Sequence, residues 1–132
     1  MVTATTRLHR YIASEVGNCQ SDGVNDYLET LDTIDELLST EHVTRDLDVL
    51  SAMANGTRYK LLRLLVAADR ELCVCDLKAM VDGTDSAISH ALSRLREAGL
   101  VDRRKDGRWR KYRATNRAVA LVTVLDGLDD MD

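Results

Sequence analysis

The chain has 132 residues, a length that fits one domain with a real core and is too short for two. It contains no apolar run of transmembrane length, and its first residues lack the apolar stretch and cleavage site of a signal peptide, so we expect a cytoplasmic protein. The formal net charge is −4, and the three cysteines favour thiols used as ligands or redox groups over a disulfide framework.

The charge is unevenly distributed along the chain. Residues 1–57 hold 3 basic and 10 acidic side chains, whereas residues 86–117 hold 10 basic and 3 acidic ones. A concentrated basic segment can bind a polyanion even when the whole protein is acidic. Aspartate and arginine outnumber glutamate and lysine, a bias that is familiar in proteins of salt-loving archaea and that high genomic GC content can also produce in part.

The first part of the chain is predicted to be helical. Apolar residues recur at helical spacing over 8–16 and 27–38, and the glycine-bounded polar segment 17–23, which carries Cys19, predicts a turn between them. We therefore expect residues 1–42 to form an extra N-terminal helical hairpin. A third helix over about 44–54 is expected to end at the Asn-Gly pair 55–56, and a fourth follows over 57–68.

The next segment predicts two short helices around a turn, the helix-turn-helix arrangement. The first helix, over 73–81, is expected to bury Val74 and Leu77, and the second is expected to start at Thr84 or Asp85 and to end at Gly99. Residues 100–115 predict two strands around an Asp-Gly turn. An apolar helix over 118–128 then closes a domain that spans 43–128, and an acidic tail covers 129–132. The predicted fold class is mainly α with a small β-hairpin.

The second helix of this pair and the hairpin carry the candidate residues for binding double-stranded DNA. Short hydroxyls let a helix approach bases closely, longer donors suit guanine or phosphate, and arginines at a hairpin tip suit the DNA backbone or the minor groove. The candidates are Ser86, Ser89, His90, Ser93, Arg94, Arg108 and Arg110. A serine-rich helix face alone most often has no function, but its combination with a basic hairpin and the uneven charge indicates DNA binding. At least one of Trp109 and Tyr112 is expected in the core.

Two stretches resemble the ArsR/SmtB family of winged-helix repressors. "DSAISHALSRLREAGLVDRRKDGRWRKYRA" is similar to the recognition helix and wing of that family, and "LSAMANGTRYKLLRLL" resembles the entry into its fold. The resemblance covers roughly residues 43–128, and residues 1–42 are longer than the usual N-terminal arm. It implies a winged helix-turn-helix homodimer that is joined by its terminal helices, binds an imperfect inverted repeat at its own promoter, and leaves the DNA when an inducer binds.

The stretch "ELCVCDL" is similar to the sensing motif of the arsenic and cadmium/lead branches of the family. Thiolates are soft ligands that suit As(III) and Sb(III) as well as Cd(II), Pb(II) and Zn(II). The arsenite-sensing pattern usually has another cysteine where this chain has Lys78, and the cadmium/lead branch takes further thiolates from its N-terminal arm. We therefore expect Cys19, Cys73 and Cys75 to supply three sulfur ligands, a set that fits As(III) or Sb(III) best.

Two features limit which metal ligands of the family can be assigned to this chain. The arm holds only one cysteine, and the family's second metal site, on its last helix, is not expected because residues 115–128 contain no histidine. In a regular helix residues i and i+2 point to different sides. We expect Cys73 near the N-cap and Cys75 in the first turn, where the two can converge.

Other interpretations remain open from the sequence. Cys19 can form a disulfide with Cys73 or Cys75 in a redox sensor, the cysteines can be unused in a plain DNA-binding module, and the acidic N-terminal helices can bind another protein. Enzymatic activity has little support, because the sequence shows no nucleophile–base pair, phosphate-cradling loop or convergent carboxylate pair.

Overall fold

The computed structural model describes residues 21–131 and separates the chain into two compact units, with the division between Asp46 and Leu47. Cys19 and the helix predicted over 8–16 lie outside the described residues. The first unit contains α1 (Ser21–Leu37) and the beginning of α2 (Thr40–Met53). The predicted boundary between residues 42 and 43 stays a prediction. No helix in 21–131 is long and apolar enough to cross a membrane.

The start of α1 corrects the predicted turn over residues 17–23. Ser21, Asp22 and Gly23 are helical, and a Cβ atom added at Gly23 would meet nothing within 4 Å. A glycine in an exposed helix costs only about 1 kcal/mol relative to alanine, so it does not stop the helix here. Tyr27 and Leu37, which belong to the predicted apolar stripe, are 56% and 53% exposed.

The second unit contains the rest of α2, the helix-turn-helix, a small sheet and a closing helix. Its elements in chain order are α3 (Gly56–Ala68), β1 (Leu72–Cys73), α4 (Val74–Met80), α5 (Asp85–Glu97), β2 (Val101–Asp106), β3 (Trp109–Ala114) and α6 (Asn116–Leu128). The fold is mainly α, as predicted, and α4 and α5 are the two helices of the helix-turn-helix.

The sheet has one strand more than the predicted hairpin. Its order is β1-β3-β2, and both pairings are antiparallel. At the hairpin turn Gly107 has a φ of +62° whereas Arg108 does not have a positive φ, the pattern of a two-residue turn with glycine in its first central position. The short β1 directly precedes α4, so the sheet and the helix-turn-helix share a junction.

The core of the second unit is a single apolar cluster beneath the helix-turn-helix and the sheet. Its large, fully buried side chains are Leu61, Leu62, Leu65, Leu77, Ile88, Leu92, Leu95 and Leu100. Burial of one such side chain contributes about 1.5–3 kcal/mol. Tyr112 belongs to the same cluster and is 2% exposed, whereas Trp109 is 59% exposed, which confirms that one of the two hairpin aromatics packs in the core.

Local caps fix the ends of the helices. The Asn55 side chain accepts a hydrogen bond from the N–H of Arg58 (3.1 Å) at the start of α3, and the Thr84 hydroxyl accepts one from the N–H of Ala87 (3.0 Å) at the start of α5. Gly99 lies two residues after Glu97, the last residue of α5, with a φ of +76°, a conformation that glycine adopts without a steric penalty. The predicted cap at Thr84 and the predicted stop at Gly99 are both confirmed.

Candidate functional site

The cysteine pair lies at the junction of β1 and α4. Cys73 is the last residue of β1 and the N-cap of α4, with an extended backbone (φ −87°, ψ 167°), and Cys75 is in the first turn of the helix. This placement confirms the expected positions. Because the cap residue is not helical, the two side chains converge, and their sulfur atoms are joined in a disulfide with Cα atoms 5.4 Å apart. A disulfide between these two differs from the expected thiol ligands and from the alternative of a disulfide with Cys19.

Asp76 lies close to the two cysteines, and it was not among the candidate ligands predicted from the sequence. Its Oδ2 accepts a hydrogen bond from the N–H of Cys73 (3.1 Å) and lies 3.2 Å from Cys73 Sγ. The candidate ligand atoms of Cys73, Cys75 and Asp76 all lie within 4.8 Å of one another. The available signal was the position of Asp76, three residues after the N-cap, where an acidic side chain reaches back to the cap N–H.

The structure describes Lys78 but does not describe Cys19. Lys78 Nζ lies 3.0 Å from Asp85 Oδ1, at the start of α5, and both side chains are largely exposed. Lys78, which takes the position of the family's usual third cysteine, therefore links α4 and α5 by an ion pair. Cys19 lies outside the described residues, so its role as a third sulfur ligand stays a prediction.

A cavity of about 620 Å³ connects the cysteine pair with the hairpin. On one side it is lined by Cys73, Cys75 and Lys78, and on the other by Arg108, Trp109 and Arg110. Two of the predicted DNA-binding residues therefore share a cavity with two of the predicted metal ligands.

The polar face predicted on α5 lies opposite the core. Ser86, His90 and Ser93 are exposed, Ser89 is half-buried, and the apolar side chains of α5 pack into the core cluster. Such a face can enter a groove of DNA without disturbing the packing beneath it. These residues remain candidates for DNA contacts.

Arg94 is engaged within the protein. Its Nη2 lies 3.0 Å from Asp48 Oδ1 and donates a hydrogen bond to the backbone oxygen of Asp48 (3.3 Å). Asp48 lies on α2, 46 residues earlier in the chain, so this contact was not readable from local sequence. Arg94 must exchange this partner for DNA if it contacts a base or phosphate.

The hairpin carries two kinds of cation. Arg104, Lys111 and Arg113 form ion pairs with Glu71, Asp106 and Asp69 respectively. Arg108 and Arg110, at and beside the turn, are exposed and form no ion pair with residues in 21–131. These two predicted DNA contacts therefore remain available to an external anion.

Two of the three carboxyl groups that pair with hairpin cations have a shifted pKa. The hydrogen bonds from the Arg104 guanidinium lower the pKa of Glu71 below its usual value, and the hydrogen bond from Lys111 lowers the pKa of Asp106 in the same way. A lowered pKa means that both carboxylates stay ionised at a more acidic pH than usual. The hairpin surface thus combines fixed internal pairs with an unpaired basic tip.

Comparison with known proteins agrees with this geometry. The family model described as "Bacterial regulatory protein, arsR family" matches residues 55–103. A protein of Halobacterium salinarum assigned as an arsenical resistance operon repressor is 48% identical over 96% of this chain and 98% of its own length. The structure of HlyU from Vibrio cholerae is 31% identical, with a TM-score of 0.60 over 68% of this chain and 97% of HlyU. A homodimeric winged helix-turn-helix DNA-binding domain from Mycobacterium bovis is 27% identical, with a TM-score of 0.57 over 67% of this chain and 80% of that domain.

Proposed function

Because the chain belongs to the ArsR family of regulatory proteins, we propose that it is a metal-responsive transcriptional repressor that binds operator DNA without an ion and leaves it when a thiophilic ion binds. It acts by binding and not by catalysis. The observation that carries the proposal is the convergence of the Cys73 and Cys75 sulfurs at the first turn of α4, in a cavity shared with the hairpin.

The DNA-binding unit is proposed to be a homodimer in the cytoplasm. The closing helix α6 exposes Val119, Val124, Leu125 and Leu128, an apolar surface suited to a second copy of the helix. A twofold dimer places its two α5 helices in successive major grooves, about one helical turn of DNA apart. The hairpin then serves as a wing whose Arg108 and Arg110 contact phosphates or the minor groove.

The proposed inducer is As(III) or Sb(III), held by Cys73, Cys75 and Cys19. Three sulfur ligands satisfy a trigonal metalloid ion, whereas Cd(II), Pb(II) or Zn(II) would need a further oxygen or water ligand. Asp76 is suited to provide that oxygen, since its carboxylate lies within 4.8 Å of both sulfurs. Binding requires the reduced pair, so a dithiol reductant must first give two electrons and two protons to the disulfide, which yields two thiols and the oxidised disulfide form of the reductant.

Release depends on the ion binding the DNA-free conformation more tightly. Only a difference of a few kcal/mol between the two conformations shifts the population enough to clear the operator. Cys73 and Cys75 would hold the ion at the start of α4, which packs against α5. A change at this junction reaches the DNA-contacting elements of the same unit.

Arsenite titration of the reduced full-length protein tests the proposal. We expect sulfur–arsenic absorbance to rise in step with the loss of labelled operator DNA, and we expect Cys73→Ser and Cys75→Ser variants to bind the operator but to ignore arsenite. Tight operator binding that neither arsenite nor Cd(II) affects would contradict the proposal.

Two further variants identify the remaining ligand. If Cys19 ligates the ion, Cys19→Ser lowers the number of sulfurs around arsenic from three to two in X-ray absorption, whereas Asp76→Asn leaves it at three. With Cd(II), Asp76→Asn is expected to weaken binding if its carboxylate is a ligand. A sulfur count of two in the wild type would remove Cys19 from the site.

The disulfide favours a second candidate function, a thiol-based redox sensor that uses Cys73 and Cys75. Peroxide would oxidise the two thiols to one disulfide and form two molecules of water. Release of operator DNA by peroxide, together with no response to arsenite, would support this candidate. Release by arsenite under full reduction would support the metal-responsive function.

A further inference from the structure

Cys73 belongs to the wing sheet as well as to the helix-turn-helix. In the pairing of β1 with β3, Cys73 lies opposite Lys111, and in the pairing of β2 with β3, Lys111 lies opposite Arg104. Cys73, Lys111 and Arg104 therefore form one cross-strand row whose side chains share a face of the sheet. A ligand of the proposed sensing site is thus built into the element that presents Arg108 and Arg110.

A bidentate ion pair ties the residue before β1 to the far strand of this sheet. Arg104 Nε lies 3.0 Å and 3.1 Å from the two carboxylate oxygens of Glu71, and Arg104 Nη2 lies 2.7 Å from Oε2. Because β3 lies between β1 and β2, this pair spans the middle strand. The Glu71 side chain is only 30% exposed, and two parallel hydrogen bonds fix the relative orientation of the two groups as well as their distance.

The local chain makes Glu71 sensitive to the geometry of the cysteines. Only Leu72 separates Glu71 from Cys73, and the Leu72 side chain is buried in the core cluster. Cys73 and Cys75 would hold an ion together, and a change in the backbone at Cys73 would reach Glu71 through this single residue. The ion pair with Arg104 would connect such a change to β2 and to the wing.

We propose that Glu71 is the positioning residue that couples occupancy of the cysteine pair to the orientation of the wing. This inference rests on the proposed function and adds the route by which the ion acts. On this route the ion weakens DNA binding chiefly through the wing contacts of Arg108 and Arg110, in addition to any direct effect on α5. The shared cavity is consistent with it, since the wing tip forms the wall that faces the cysteines.

The chain provides a matched control for this route. Asp69 also pairs with an arginine of the wing, and its Oδ1 lies 3.7 Å from Arg113 Nη2. Asp69 and Glu71 are two residues apart, but Asp69 makes a longer contact through an 88% exposed side chain. Asp69→Asn and Glu71→Gln therefore remove the same charge near the same sheet, and only Glu71→Gln removes the bidentate bridge to β2.

The test measures operator affinity of the reduced full-length protein with and without saturating arsenite. The ratio of the two dissociation constants is the coupling, and couplings of about 5- to 150-fold are usual. We expect Glu71→Gln to lower this ratio about fivefold or more, while Asp69→Asn retains the wild-type ratio. Arsenite affinity without DNA, followed by sulfur–arsenic absorbance, is expected to stay unchanged in both variants.

Reversing the pair sharpens the test. Glu71→Arg combined with Arg104→Glu retains an ion pair across β3 and is expected to recover part of the ratio lost in Glu71→Gln. A wild-type ratio in Glu71→Gln, or equal losses in Glu71→Gln and Asp69→Asn, would overturn the role of Glu71. Failure of the proposed function looks different, since the wild type would then bind no arsenite or would remain on the operator.

Discussion

The exposed face of α5 and the wing carry different chemistry for the proposed contacts with DNA. The exposed face of α5 carries short hydroxyls and His90, and its arginine nearest to that face, Arg94, is paired with Asp48. The wing is densely charged, and its cations divide into those held by carboxylates within the protein and those left at the tip. We infer that α5 supplies sequence discrimination and the wing supplies electrostatic affinity, because hydroxyl and imidazole groups read base edges whereas unpaired arginines attract phosphates.

The largest expected effect comes from removing the charge of the wing tip. In an Arg108→Ala, Arg110→Ala variant, we expect operator and non-specific DNA to lose affinity together. The slope of log K against log salt should become less steep by about 2 for each protomer, and so by about 4 for the dimer, since each phosphate contact contributes roughly one unit. Fluorescence anisotropy at several salt concentrations measures both quantities. A selective loss of operator binding alone would contradict the division of roles.

A smaller and more selective effect is expected on the recognition helix. His90→Ala is expected to reduce discrimination between the operator and a single-base variant by about 1–3 kcal/mol if His90 contacts a base edge. Non-specific affinity and the salt slope should change little. Competition binding with a set of single-base operator variants checks this outcome. An equal loss of affinity for all sequences would indicate that His90 contacts a phosphate and not a base.

The third effect tests whether the pairing of Arg94 restrains it. Asp48→Asn removes the partner at 3.0 Å, and we expect operator affinity to rise about two- to fivefold, as befits the modest strength of a partly exposed ion pair. Asp46→Asn removes the same charge from the same helix, and Asp46 forms no ion pair among residues 21–131. Equal gains in the two variants would show that net charge, and not the release of Arg94, is responsible.

The smallest effect concerns the acid stability of the wing. Lys111 holds the pKa of Asp106 below its usual value, so the folded state binds this proton less readily than the unfolded state. The resulting stabilisation is present above the ordinary range of an aspartate and is lost as the pH falls through the lowered pKa. Trp109, the only tryptophan of the chain and the cross-strand partner of Asp106, reports the hairpin by fluorescence. Asp106→Asn should reduce this pH dependence to the part that Glu71 contributes, whereas Asp102→Asn should retain all of it.

Much of the fold could be predicted because its signals are local. The helical spacing of Ile88, Leu92 and Leu95, with Thr84 before them and Gly99 after them, defines α5 without reference to the rest of the chain. The Asp-Gly pair likewise predicts the hairpin. The turn assigned to residues 17–23 was wrong for Ser21–Gly23, because one exposed glycine is too weak a signal to end a helix.

The rest of the site depends on contacts between distant residues. The strand β1 has two residues, too few to show an alternating pattern, and its partner Tyr112 lies 40 positions further along the chain. The same holds for Glu71 with Arg104 and for Asp48 with Arg94, which are 33 and 46 residues apart. The motif located Cys73 and Cys75, but only the folded chain shows that Cys73 and the wing belong to one sheet.

The hydrogen bonds of Thr115 determine where segments can be exchanged between related proteins. Its hydroxyl donates to the backbone oxygen of Gly99 (2.9 Å) and accepts from the N–H of Ala118 (3.3 Å), and its own N–H donates to the oxygen of Leu100 (3.1 Å). The end of α5 and the start of α6 are thus locked by one side chain. A chimera that swaps α6 at its apparent boundary would separate residues that function as a unit. The interchangeable module begins at Gly99, so α6 should be exchanged together with the wing.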